Sequence, residues 1–480
     1  MAHGVRRFLV LAVLLLAVPA MAAAKAPPSK PKDADPELIK TLVEAIDQVE
    51  RNYVTEVDRR ELVDSAIRGM LSKLDPYSTY IAAEEAQQFR ARLLGEFGGI
   101  GIQIAADDGQ LTVLSPIYGT PAYRSGVLAG DRILEIDGRS TDGIDLDEAA
   151  RRLHGEEGAA VTLTVMHPGK HEKTKIKLVR QRIHLETVLG DRRNPDGHWQ
   201  FMLDPTQGIG YVRLTAFSSE TASELQSVLA RLQKEKLRGL ILDLRFNPGG
   251  LLSAGIEVSD LFVSEGRIVS TKGRNSPEHV WDAHKEGTFS GFPLAVLVNR
   301  YSASSAEIVA ACLQDHKRAV VIGERTWGKG SVQTLIQLEG GKSLLKLTTA
   351  SYRRPSGKNI HRFPDAKETD EWGVMPDAGM KIELGDEEMT RLIQNRRERD
   401  ILQSPVKDGE KKADAKQNSP PPVDRQLQAA VKYLTAELAK RRWKVRLTKK
   451  SAGLPGTRAK HSIDGLVFSS NSQPPPGGLY

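Results

Sequence analysis

An α/β fold is expected for this chain of 480 residues. Between about residues 208 and 323, apolar runs such as Gly239 to Leu244 and Leu294 to Val298 alternate with stretches of helical periodicity, the pattern of a buried sheet covered by helices. Upstream, two segments repeat apolar residues at helical spacing. Between these regions stand short strands punctuated by glycine turns, so a smaller module is set ahead of the sheet. The length exceeds the common single-domain size, and 40% hydrophobic content suffices for more than one core.

The chain opens on Arg6 and Arg7, an apolar run from Phe8 to Val18, and an Ala20-Met21-Ala22 or Ala22-Ala23-Ala24 site. Residues 1–24 therefore read as a signal peptide removed on export, with an uncleaved anchor as the minority alternative. No later stretch approaches the ~20 apolar residues of a spanning helix. Residues 25–94 are expected to be helical. Asp35-Pro36-Glu37 sets a capping Asp before Pro at the first helical position. Leu42, Ile46, Val49 and Tyr53 then line one helix, and Val63, Ile67, Met70 and Leu74 the next. Packing of both stripes on the protein body is the expectation, with pairing between copies the weaker alternative.

From 95 to 182 the pattern changes to Gly98-Gly99-Ile100-Gly101-Ile102-Gln103-Ile104, Leu111 to Leu114, Pro121-Ala122 to Gly126-Val127, and Gly130-Asp131-Arg132-Ile133-Leu134-Glu135-Ile136-Asp137-Gly138. Together these strings resemble a PDZ domain. The resemblance implies that the backbone at Gly99, Ile100, Gly101 and Ile102 nests a free carboxylate while the following strand accepts a peptide as an added strand. A purely structural module is the alternative.

The 183–400 region carries candidate chemistry. Ser304 lies in Ser302-Ala303-Ser304-Ser305-Ala306-Glu307, ahead of the apolar stretch Ile308 to Leu313, and Lys329 and Gln333 lie in Gly328-Lys329-Gly330-Ser331-Val332-Gln333. A serine hydroxyl needs an adjacent base, and a lysine kept neutral by burial can serve. Amides of the first helical turn suit a developing oxyanion. Plainer readings exist for each residue. Ser304-x-x-Glu307 is also a capping box, Lys329 a solvated charge, and Gln333 the polar side of a strand.

Accompanied in order by Leu242-Asp243-Leu244-Arg245-Phe246-Asn247-Pro248-Gly249-Gly250 and Gly323-Glu324-Arg325-Thr326-Trp327-Gly328-Lys329-Gly330, these residues resemble the carboxyl-terminal processing peptidases, or tail-specific proteases. The serine precedes the lysine by 25 positions and the glutamine follows it by four, as in that family, which singles out Ser304 over Ser302 and Ser305. The resemblance implies a crotonase-like or Clp-protease-like αβ core with an inserted PDZ domain. It implies Ser304 as nucleophile, Lys329 as general base and then acid, and Gln333 as the group orienting Lys329. The oxyanion hole would use the amides of Ser305 and Gly249, with Gly250 left open as the alternative to Gly249. Tyr352 to Lys358 and Gly373 to Asp377 look like family landmarks, while Ile360 to Trp372 reads as a charged surface insertion near the substrate path.

The resemblance spans about residues 60 to 380 and implies an exported, periplasmic serine endopeptidase that cuts near flexible carboxyl-terminal tails through an acyl-enzyme. Its partners would be protein substrates, an envelope adaptor and a second copy of the chain, with no nucleic acid and no cofactor. A PDZ adaptor that binds tails without cutting is the rival.

Other chemistries fit poorly. Gly323 to Lys329 is almost a phosphate-binding loop, but Gly330 stands where Ser or Thr should meet magnesium and a strand-like pattern follows. His154, His184 and His361 are scattered without metal-ligand spacing, so no metal is expected. The single cysteine, Cys312, permits no internal disulfide and reads as core packing. Beyond the core, 401–424 reads as a Pro-rich and charged linker, 425–445 as a helix with Leu427, Val431, Leu434 and Leu438, and 446–480 as a basic disordered tail. The formal net charge of +7 is concentrated there, since residues 425–460 hold eleven Lys or Arg and one acid, Glu437, and could touch anionic lipid.

Overall fold

The computed structural model describes residues 36–94, 96–107, 109–194, 196–401 and 423–451. The expected signal peptide, nearly all of the 401–424 linker and residues 452–480 of the expected tail lie outside them. Helix α1 spans Pro36–Asn52 and α2 spans Arg59–Ser72, the latter capped by Asp58, whose carboxylate accepts the Glu61 N–H at 2.9 Å. The α1 stripe does not pack on the body as expected. No α1 residue is buried, and Leu38, Leu42 and Val49 stand exposed. The helix is tethered through its polar side instead, by Arg59 to Asp47 and Glu50, which leaves the apolar side open. In contrast, α2 packs Ile67 and Leu71 against Tyr80. Strand β1 (Thr79–Ile81) and helix α3 (Ala83–Leu94) follow.

The inserted module comprises β2 (Glu96–Gly99), β3 (Ile102–Asp107), β4 (Gln110–Pro116), α4 (Pro121–Arg124), β5 (Arg132–Ile136), β6 (Arg139–Ser140), α5 (Leu146–Leu153), β7 (Ala160–Met166), β8 (Lys173–Val179) and β9 (Gln181–His184). Strands β2 and β9 pair antiparallel from Glu96↔His184 to Gly99↔Gln181, so the chain enters and leaves the module side by side. The other strands form one sheet in the order β3-β4-β5-β7-β8, with β6 on β5, around a core of Val113, Ile133, Leu163 and Leu178. Strand β3 is at the edge of this sheet, next to α5.

The core contains β10 (Val188–Leu189), β11 (Arg192–Arg193), β12 (Trp199–Gln200), β13 (Met202–Asp204), β14 (Ile209–Leu214), α6 (Thr221–Lys234), β15 (Gly239–Asp243), α7 (Leu252–Asp260), β16 (Arg267–Gly273), β17 (Ser276–Asp282), β18 (Leu294–Val298), α8 (Ser305–Asp315), β19 (Ala319–Gly323), β20 (Ser331–Leu338) and β21 (Ser343–Arg353). Helices α9 (Asp386–Asp400) and α10 (Arg425–Ser451) complete the described chain. Strands β14, β15, β18 and β19 run parallel in that order. Because side chains alternate along a strand, Val212, Leu242 and Val296 join one core with α6, α7 and α8, while Tyr211, Ile241 and Leu297 join another with Ala430, Leu434 and Leu438 of α10. The sheet is thus covered on both faces, as its continuous apolar strands require. Helix α10 also runs six residues past the expected boundary at 445, carried by Lys and Arg, which favour helix. The tail therefore does not begin as coil at 446.

A second sheet has the order β1-β21-β16-β17, with β20 on the other side of β21. Its long strand β21 sets Lys346 opposite Thr79 of β1 and Leu335 of β20. A buried ionic cluster ties α9 and α10 to β15. Asp243, fully buried, receives Tyr211 Oη at 2.7 Å, Arg245 and Arg396, and Arg245 also reaches Asp424 at 2.8 Å and Gln426 at 3.0 Å. Charges so buried persist only when paired and hydrogen-bonded, and here every partner is another part of the fold.

Candidate active site

Strand β18 delivers the chain to a tight turn, Asn299 to Ser304, at the start of α8. The turn is pinned at several points: Ser302 Oγ donates to the Leu244 carbonyl at 2.8 Å, Asn299 Oδ1 accepts the Phe246 N–H at 2.9 Å, and the Ala303 N–H reaches the Asn247 carbonyl at 2.9 Å. Ser304 itself has φ 56° and ψ −118°, a strained conformation for a residue with a side chain. Glu307 accepts the Ser304 N–H at 2.8 Å, but the Ser304 hydroxyl makes no capping bond to the first turn. Among the described residues the Ser304 hydroxyl makes no hydrogen bond, and the residue lines the cleft.

Glu307 joins the serine turn to the lysine loop. Fully buried, its carboxylate takes the Ser304 N–H and Lys329 N–H on one oxygen, each at 2.8 Å, and Thr326 Oγ1 at 2.5 Å and the Gly328 N–H at 2.7 Å on the other. Burial pushes this carboxyl up to about 7 against those four donors. Tyr352, 1% exposed, makes a second tie, its hydroxyl directed to the Ser304 carbonyl at 3.1 Å and to the Lys329 carbonyl. Neither tie was legible as such in the sequence, where Glu307 reads as a cap and Tyr352 only as part of a landmark. The one available signal was the Ser304-x-x-Glu307 spacing.

Ser304, Ser305, Gly249, Lys329 and Gln333 line one cavity of about 350 Å³, and Lys346 lines it too. The Gly99 to Ile102 loop is not part of that lining. Burial lowers the Lys329 ammonium below the ordinary lysine value, Lys346 adds to the lowering, and Glu307 and Asp75 oppose it. The Lys329 Nζ stands 5.1 Å from the ring centroid of Tyr77, and among the described residues no hydrogen bond joins it to Ser304 or Gln333. Gln333 Nε2 instead donates to Ser331 Oγ at 3.0 Å and Thr348 Oγ1 at 3.3 Å. Tyr77 is set by Asp75, whose carboxylate accepts its N–H at 2.7 Å and the Thr348 hydroxyl at 3.2 Å.

Gly249, at φ 93°, lies against the serine: a Cβ there would come within 2.6 Å of the Ser304 Cβ, so only glycine fits. Its N–H donates to Asn247 Oδ1 at 2.8 Å, so in this conformation that amide is engaged. Ser305 keeps its hydroxyl on the Leu251 carbonyl at 3.0 Å, while its amide opens α8. The Ile360 to Trp372 segment is pinned beside the lysine loop by Arg325, which stacks 3.5 Å from the Trp372 ring centroid and donates to the Glu368 carbonyl. After Lys329 the chain enters strand β20, not a helix, which removes the phosphate-loop reading. Cys312 is buried, its thiol pushed up to about 12 by desolvation. Among the described residues no three His, Cys, Asp or Glu side chains gather as a metal-binding group.

In the inserted module, Gly101 has φ +78°, and a Cβ there would fall 2.3 Å from Thr120 Cβ. The Ala122 N–H takes the Ile100 carbonyl and the Ile117 N–H takes the Gly101 carbonyl, each at 2.9 Å, so the loop carbonyls are spent within the module. Ile102 opens edge strand β3, whose outer side is unpaired among the described residues.

Residues 208–378 match the family model of peptidase family S41, residues 112–166 that of a PDZ domain, and residues 17–85 that of the activating protease CtpB N-terminal domain. The carboxy-terminal-processing protease of Bartonella bacilliformis is 40% identical over 370 residues, covering 74% of this chain and 80% of the relative. The carboxy-terminal processing protease CtpA of Bacillus subtilis is 36% identical over 323 residues, covering 67% of this chain and 66% of the relative. Among solved structures, the photosystem II D1 C-terminal processing protease aligns at 30% identity with a TM-score of 0.41, over 72% of this chain and 92% of that one.

Proposed function

Since the chain belongs to peptidase family S41, as a carboxy-terminal processing protease with a PDZ domain, we propose that it cuts proteins near flexible carboxyl-terminal tails through a Ser304–Lys329 dyad. One observation carries the assignment of the dyad. Ser304 is held at a strained φ with its hydroxyl unused as a cap, in the same cavity as a lysine whose ammonium burial disfavours.

With a substrate in the cleft, Lys329 leaves the Tyr77 face and takes the Ser304 proton as Oγ attacks the scissile carbonyl carbon. The tetrahedral oxyanion rests on the Ser305 N–H and on the Gly249–Gly250 turn, where Asn247 releases the Gly249 N–H. Collapse breaks the C–N bond and Lys329 passes its proton to the departing amine. Water, deprotonated by Lys329, then splits the acyl-enzyme, and the proton returns to Ser304. Gln333, held by Ser331 and Thr348 while the amine rests on Tyr77, meets Lys329 from β20 only after that move. The PDZ domain captures the substrate tail, its carboxylate at Gly99 to Ile102 and its backbone along the free edge of β3. Residues 1–24 direct export to the periplasm, and the open apolar side of α1 supports contact with a second copy or an envelope adaptor.

The test compares the mature protein with its Ser304→Ala variant on a reporter ending in a flexible apolar tail, under a metal chelator. Cutting by the parent and not by the variant is the expected result. Equal cutting by both refutes the assignment of Ser304, and tail binding without cutting by either, even with envelope extract added, favours a PDZ adaptor.

A further inference from the structure

Lys346 stands in β21 opposite Leu335 of β20 and Thr79 of β1. Because side chains alternate along a strand, it shares a face with Thr348 and, across the pair, with Gln333 and Leu335. The opposite face carries Leu345 and Leu347, which pack on Leu71 and Tyr80. The ribbon therefore turns its polar face to the cleft, where Lys346 lines the cavity that holds Ser304 and Lys329. Glu339, the acid at the end of the ribbon, is paired with Arg60 and Ser343 instead, and among the described residues Lys346 makes no ion pair.

The groups around Lys329 pull in two directions. Glu307 from α8 lies under its backbone N–H, Asp75 and Tyr77 face it from the segment before β1, Tyr352 from β21 holds its carbonyl, and His361 stands edge-on to Tyr77. Glu307, Asp75 and the Tyr77 ring face all favour an ammonium at this place. Besides burial, Lys346 is the group among the described residues that opposes it.

We propose that Lys346 is a tuning residue for the cleavage reaction: held by strand register on the cleft face beside Lys329, its charge disfavours a second ammonium there and keeps Lys329 able to accept the Ser304 proton near neutral pH. The proposal rests on the Ser304–Lys329 reading above. It assigns Lys346 no contact with the reacting atoms. Its closest functional parallel is the neighbouring cation that makes a catalytic amine available at neutral pH.

The test titrates Lys329 without relying on cleavage. In full-length protein carrying Ser304→Ala, acetylation of Lys329 by acetic anhydride is followed by mass spectrometry from about pH 6 to about pH 11, since only the free amine reacts. Adding Lys346→Gln is expected to raise the labelling midpoint by on the order of one pH unit, and Lys346→Arg to leave it in place. With Ser304 intact, the acid limb of kcat/KM should move by the same interval in Lys346→Gln and stay put in Lys346→Arg. A midpoint unmoved by Lys346→Gln overturns the proposal, and so does an equal shift in Lys346→Arg, which would make the effect one of packing. Loss of cleavage at every pH with Lys329 titrating as before also overturns it, assigning Lys346 to substrate binding. If Lys329→Ala still cleaves, the dyad reading fails on its own, while the labelling midpoint still reports whether Lys346 acts on Lys329.

Discussion

Replacing Tyr352 by Phe removes one oxygen from a ring that is 1% exposed. That hydroxyl serves the carbonyls of Ser304 and Lys329, and burial keeps it protonated by lifting it well above the ordinary tyrosine value. Phe fills the same space, so no appreciable cavity opens and the loss is confined to hydrogen bonding. One net bond is worth about 0.5–1.5 kcal/mol, and because the Ser304 carbonyl keeps the Glu307 and Ile308 N–H groups, the loss falls on the Lys329 carbonyl and the cost stays at about 1 kcal/mol. Urea unfolding should show this as a lower midpoint at unchanged slope. The catalytic effect should be larger than the stability effect, because the two carbonyls belong to the proposed nucleophile and base. A displacement of about 1 Å between reacting groups costs on the order of 100-fold, so kcat on a tailed reporter should fall by about 10- to 100-fold. Affinity of the PDZ domain for the tail should not change. A Tyr352→Phe protein that loses stability as expected yet keeps kcat within about twofold would refute the claim that this phenol sets the Ser304–Lys329 separation.

Three further outcomes are expected. Lys329→Met should abolish turnover and raise the unfolding midpoint at neutral pH; the unfolded chain holds the lysine proton up to the ordinary 10.5 while the fold releases it earlier, so this group lowers stability most below its folded pKa and the cost fades as pH rises toward 10.5. Thermal melts at neutral and alkaline pH check the sign. Asp424→Asn should destabilise by about 3 kcal/mol in urea, at the low end for a broken buried pair because Arg245 keeps Asp243. Gly101→Ala should remove tail binding measured by fluorescence anisotropy while leaving cleavage of a short tail-less peptide, since φ +78° and the Thr120 side chain both exclude a Cβ there.

The buried sheet was legible because its strands are apolar on both faces and separated by helical periods, which two-sided burial imposes. Ser304, Lys329 and Gln333 were legible by order and spacing, and the structure sets them in one cavity. What joins them was not. Glu307 reaches Gly328 and Lys329 across 21 and 22 positions, and Tyr352 reaches Ser304 across 48, distances at which a sequence offers no local pattern. The place of α10 was hidden for a related reason: its apolar stripe shows that it packs, not on what, and the second face of the sheet announces itself only once Tyr211, Ile241 and Leu297 are seen to point away from α6, α7 and α8. The open side of α1 misled in the opposite direction, since amphipathic periodicity is the same whether a helix meets its own chain or another surface.

The placement of Tyr77 gives the site an asymmetry that the proposed dyad chemistry has to overcome. The backbones of Ser304 and Lys329 are locked together by Glu307 and Tyr352, so the separation of the two residues is set by the fold, and only the four-carbon stem of Lys329 remains adjustable. That stem points its amine at Tyr77, in the segment linking α2 to β1, and leaving the ring forfeits a cation–π contact worth about 0.5–2 kcal/mol. A neutral lysine has less to lose by leaving than an ammonium has, because the attraction is to the charge. Deprotonation and movement toward Ser304 therefore favour each other, and whatever disfavours the ammonium also loosens its hold on Tyr77. On that physics, Tyr77→Leu should speed cleavage most at low pH, where Lys329 is charged and held, and little at high pH; an equal effect across the pH range would mean that the ring acts on Lys329 by packing alone.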